Sequence, residues 1–77
     1  MSNYCKHGQD HYSYETCIRT TLADGTTVGN ITKYSPTTSK HQNYSHANVR
    51  GCEILVDGVP RGTTDAGLRV IAKMKVL

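Results

Sequence analysis

The sequence predicts an α+β domain in which a small antiparallel β-sheet, two hairpins giving three to four strands, packs against one C-terminal α-helix. Three observations carry the prediction. Residues Tyr14 to Leu22 alternate with period two, Asp-Gly pairs at Asp24-Gly25 and Asp57-Gly58 each close a strand-like run, and apolar residues from Leu68 onward recur at helical spacing.

With 77 residues, positions 1–77 read as one domain near the lower size limit, able to bury only about 60% of its unfolded surface. Five tyrosines without Phe or Trp imply a small core of Ile, Val and Leu, with tyrosine rings at its margins. Residues 1–12 are polar and aperiodic, with a lone Gly8, and read as an N-terminal tail.

The first hairpin is expected over 13–35. Tyr14, Thr16, Ile18, Thr20 and Leu22 share one face; Glu15, Cys17, Arg19 and Thr21 share the other. Asp24-Gly25 as a two-residue type I′ turn would place Ile18 opposite Ile31 and Leu22 opposite Thr27. The second face, with Asn30 and Tyr34, reads as solvated apart from Cys17 and Val28. Residues 36–50 then form a polar basic loop, and no acid occurs between Gly25 and Cys52. The second hairpin is expected over 51–62. Its strand Cys52–Val56 turns at Asp57-Gly58 into a short arm that Pro60 confines to an edge.

The helix is expected over 64–75, with Thr63 and Thr64 as N-cap residues and Asp65 at the positive end of the dipole. Its apolar arc holds Leu68, Ile71 and Ala72 and continues through Val70 and Met74, leaving Arg69 and Lys73 outside. Lys75-Val76-Leu77 reads as its continuation.

Cys5, His7, His11 and Cys17 supply zinc-competent ligands in a C-x-H-x3-H-x5-C spacing. That spacing matches no common finger, and a strand already sets the direction of Cys17. The four therefore read as tail histidines and structural thiols, and no metal or other cofactor is expected. Cys52 has Arg50 and Glu53 but no histidine beside it, and the six acids are scattered. No catalytic residue is assigned, and the protein is expected to be non-enzymatic.

Two sets of binding residues remain. Tyr34, Lys40, His41, Tyr44, His46 and Arg50 form an acid-free stretch suited to contact with a protein. Lys33, Lys40 and Arg50, with the Arg69/Lys73 stripe, make nucleic acid the alternative partner; a net charge of +3 permits that reading without requiring it. Three strands followed by a helix resemble the small DNA-binding module of plant transcription factors and integrase arms, whose sequence motifs this chain lacks. In size, and with no visible active site, the chain also resembles the small inhibitors that bacteriophages encode against host enzymes or defence complexes.

The leading expectation is thus a non-enzymatic protein-binding module, an inhibitor of a larger protein or protein complex. No export signal or apolar run long enough for a bilayer is visible, so the expected site is cytoplasmic and no membrane partner is implied. Three cysteines, an odd count, agree with a reducing compartment.

Overall fold

The computed structural model describes residues 3–75. Among them the chain runs β1 (Tyr4–His7), β2 (Asp10–Ser13), β3 (Thr16–Thr21), β4 (Thr27–Asn30), α1 (Pro36–Tyr44), β5 (Ile54–Val56) and α2 (Asp65–Lys75). The class is α+β, as expected. The sheet, however, has five strands in the order β1-β2-β3-β4-β5 and is mixed.

The stretch 1–12, expected to be a tail, holds a hairpin. Tyr4 pairs with Ser13 and His7 with Asp10 around a two-residue loop in which Gly8 takes a φ of 63°. Met1 and Ser2 lie outside the described residues. The edge strand β1 is almost wholly exposed, so it needs no apolar alternation and gives none in the sequence.

Strands β3 and β4 pair one residue away from the expected register: Thr20 faces Val28 and Thr21 faces Thr27. The connection has three residues, not two. Gly25 N–H donates to Leu22 O at 2.9 Å and Leu22 N–H to Thr26 O at 2.8 Å, with Gly25 at a φ of 89°. That is a type I turn closed by a left-handed glycine. The slip separates the two isoleucines: Ile18 is fully buried and Ile31 is exposed.

The alternation of β3 also breaks. Tyr12 pairs with Cys17 but His11 with Arg19, so Ile18 is the extra residue of a β-bulge. The bulge lets Cys17 and Thr20 serve the same face. The face expected to be solvated, carrying Cys17 and Val28, is the core face, and its Asn30 is fully buried.

The expected loop 36–50 contains α1, a nine-residue helix. Ser35 caps it, its hydroxyl accepting from Thr38 N–H at 3.2 Å, and Pro36 takes the first helical position. The buried face is polar: Thr38, His41 and Gln42. Gln42 Nε2 donates to Asn30 O at 2.7 Å and to Thr32 O at 2.9 Å. Hydrogen bonds here stand in for an apolar stripe.

The second expected hairpin does not form. A connection through α1 brings β5 beside β4 in parallel, with Val28, Gly29 and Asn30 facing Ile54, Leu55 and Val56. The residues after Asp57-Gly58 make no return strand; Val59 instead turns inward and is 2% exposed.

The helix α2 runs Asp65–Lys75, against the expected 64–75; Val76 and Leu77 lie outside the described residues. Thr64 caps it, accepting from Gly67 N–H at 3.2 Å. Its buried residues are Leu68 and Ala72, packed with Cys17, Val28, Val56 and Val59. Val70 and Met74, assigned to the apolar arc, are exposed. The two helices cover opposite faces, since Tyr12 reaches Asp65 of α2 while its neighbour Ser13 reaches Thr38 and His41 of α1. Among the described residues no helix is long and apolar enough to cross a membrane.

Candidate functional site

The residues richest in chemistry gather at one end of the sheet, where β1 begins and β2 turns into β3. Tyr14 and Glu15 form that two-residue turn, since Ser13 pairs with Thr16. Tyr14 has a φ of 57°, and Glu15 does not share the left-handed region. Positive φ at the first central position alone is the type II′ pattern, which favours glycine. A bulky aromatic residue there is strained by roughly 1–3 kcal/mol. Its ring lies 6.3 Å from that of His41, yet Tyr14 remains 52% exposed.

A cleft of about 780 Å³ opens beside this turn, walled by Tyr4, Tyr14 and Tyr34. Glu15 and Arg61 bring opposite charges to it, and the buried hydroxyls of Ser13 and Thr38 form its floor. Tyr34 is held from behind: its hydroxyl donates to Val59 O at 2.6 Å and accepts from Asn30 Nδ2 at 2.9 Å. The Arg61 guanidinium sits 6.0 Å from the Tyr34 ring centroid and donates to Tyr34 O at 3.2 Å.

Next to the cleft, Tyr4 is the hub of an aromatic group. Its ring lies 5.3 Å from Tyr44, 5.6 Å from His41 and 5.9 Å from His11, and its hydroxyl shares a hydrogen bond with His11 Nδ1. Burial raises the Tyr4 pKa. Burial also lowers that of His41, so the imidazole is neutral at pH 7, sharing a 2.6 Å hydrogen bond between Nδ1 and Ser13 Oγ. Serine beside neutral histidine has the elements of a nucleophile and its base. Ser13 is only 1% exposed and also bonds Thr38 Oγ1 at 2.9 Å, so the pair fastens α1 to the sheet.

The structure divides the expected protein-binding set. Tyr34 lines the cleft, and Lys40 and Tyr44 are exposed on α1. His41 is 2% exposed and faces inward. His46 and Arg50 are exposed in the segment that follows α1. The nucleic-acid set is split by the sheet: Lys40 is on α1, while Arg69 and Lys73 are on α2. Arg69 is moreover committed, pairing with Asp10 at 3.4 Å and with Asp65. Lys33 is exposed before α1.

The zinc-competent quartet is not assembled. Cys5 and His7 alternate onto the face of Tyr12, Cys17 is buried beneath it, and His11 turns to the opposite face toward Tyr4. Among the described residues no group of three or more His, Cys, Asp or Glu side chains converges on a metal position. The residues that sequence reasoning missed are Tyr4, Ser13, Tyr14 and Arg61. The first two lie in a hairpin that the polar start of the chain conceals.

No family model, curated protein or solved structure matches this chain. Its functional reading therefore rests on its own residues.

Proposed function

We propose that the protein is a non-enzymatic binding module that docks on a larger protein through the tyrosine-walled cleft and the adjoining edge of β1. The observation that carries the reading is Tyr14: a glycine position is filled by an aromatic ring that stays half exposed. Strain of this kind persists where it serves a function. Tyr44, 62% exposed, extends the same surface, and tyrosines contribute large contact area at little cost in conformational freedom. Docking without chemistry of its own is how a small inhibitor acts.

The test is capture of a stoichiometric protein partner from a lysate by the tagged full chain. Capture should be lost with Tyr14→Gly combined with Tyr44→Ala and kept with Val70→Ala on the far side. Any activity of the captured partner should fall when the module is added. Recovery of nucleic acid alone, or capture indifferent to the double substitution, overturns the reading.

A further inference from the structure

Resting on that binding-module reading, we propose that the partner presents an extended acidic segment, which pairs with the free edge of β1 and lays its carboxylates against Lys6. Two independent features converge on this occupant.

The first is backbone geometry. Asn3 O accepts from Tyr14 N–H at 2.7 Å, so Asn3, Cys5 and His7 turn their backbone groups toward β2. The antiparallel alternation leaves the N–H and C=O of Tyr4 and Lys6 pointing away from the sheet. Among the described residues β1 is the first strand of the sheet order and pairs only with β2, and its outward row is a template for one more strand.

The second is charge. Lys6 faces His11 and His11 faces Arg19, in line across three neighbouring strands, on the face where Tyr4 and Tyr44 meet. Like charges directly opposite one another are unfavourable. Burial, then Arg19 and then Lys6, lower the pKa of His11. The Arg19 guanidinium donates to two backbone carbonyls, Ser45 O at 2.6 Å and Gly51 O at 3.2 Å, rather than to a carboxylate.

All six acids lie elsewhere. Asp10 and Asp65 are bound to Arg69, Asp24 and Asp57 sit in turns, Glu53 precedes β5 and Glu15 stands at the cleft. A lone edge lysine guards a strand against self-pairing. Two cations, Lys6 and Arg19, on either side of a His11 whose own charge is disfavoured, with Lys40 and Tyr44 exposed on the adjoining α1, go further, because they are complementary to an anionic neighbour. A strand added at about 4.8 Å sets its own side chains directly beside Lys6. Nucleic acid is the poorer match: Lys6, Lys40 and a committed Arg19 are few cations for a phosphate chain, and a strand edge offers hydrogen bonds that such a chain does not need.

The test selects dodecapeptides from a random displayed library on the full chain at low salt, with the wild type and with Lys6→Glu and Lys6→Gln. Lys6 is exposed, and circular dichroism checks that each variant is folded. The expected result is peptides alternating Asp or Glu with apolar residues, bound at least tenfold more weakly by Lys6→Glu and to an intermediate degree by Lys6→Gln. In ¹⁵N spectra such a peptide should shift the Tyr4 and Lys6 amides. Selected peptides without acid enrichment, or with affinity unchanged in Lys6→Glu, overturn the acidic-strand inference and leave the binding-module reading standing. Failure to select any peptide, with a fifteen-residue oligothymidylate binding instead, overturns both.

Discussion

The Tyr12 hydroxyl donates to Asp65 Oδ1 at 2.6 Å and accepts from the Asp65 backbone N–H at 2.8 Å, joining β2 to the first turn of α2 across 53 positions of sequence. The carboxylate is held below its usual range first by this hydroxyl and then by Arg69. Tyr12→Phe removes both hydrogen bonds and should cost about 2 kcal/mol, the scale for hydrogen bonds to charged groups. Urea unfolding of the two proteins checks the value, and an unchanged midpoint contradicts it.

The strain at Tyr14 is measurable by comparing two truncations. Tyr14→Gly and Tyr14→Ala both remove the ring, but only alanine keeps a Cβ at a φ of 57°. The glycine variant should be the more stable by about 1 kcal/mol, read from paired denaturation curves. Equal stabilities would mean the turn is unstrained.

Acid should destabilise the fold. Burial keeps the folded His41 pKa below its ordinary 6.5, and His11 is lowered in the same direction. The unfolded chain therefore binds more protons as pH falls past 6.5, so stability present above that value is lost below it. The urea midpoint should be flat from pH 8 to 7 and decline toward pH 5. A midpoint that rises on acidification refutes this.

The three cysteines should separate kinetically. Burial pushes the Cys17 thiol up to about 12 and raises that of Cys52, whereas Cys5 is exposed. One thiol should react rapidly with Ellman's reagent in the native protein, and two more only in denaturant. Alkali should weaken the fold as well. Cys17 ionises from 9.0 when unfolded but only near 12 when folded, so stability present below pH 9 is lost above it.

A methyl group at Gly51 should be severely damaging. Its Cβ would collide with the carbonyl oxygen and Cβ of His46, itself at a φ of 58°. Gly51→Ala should cost about 3 kcal/mol, at the upper end for overpacking. Thermal melts check this, and Gly58→Ala, which meets no neighbour within 4 Å, separates steric collision from turn strain.

The parts of this fold legible in the sequence are those stabilised by apolar burial. Leu68 and Ala72 announce α2, and Cys17 with Val28 lie in the two strands the alternation marked. What escaped is held by polar contacts. The Thr38, His41 and Gln42 face of α1 leaves no apolar period, and only Ser35-Pro36, a cap followed by proline, signals the helix. The β1–β2 hairpin hides behind polar side chains, with Gly8 as its sole punctuation. The register slipped because Ala23-Asp24-Gly25 closes a three-residue loop, and the Asp24-Gly25 dipeptide is common to both loop lengths. The site was least legible, because Tyr4, Tyr14 and Tyr34 meet only after the unseen hairpin and the unseen helix are in place.

The parallel pairing of β5 with β4 has a kinetic side. The meander from β1 to β4 needs only loops of two or three residues, which close quickly. β5 docks after a detour through α1, and the bonds from Cys17 N–H to Thr63 O and from Gly62 N–H to Thr16 Oγ1 each span 46 positions. Chain closure of that length sets the pace in small domains. Refolding should thus proceed from an early N-terminal meander to a slower step that seats β5 and α2 together, the last contacts made being those that complete the tyrosine walls.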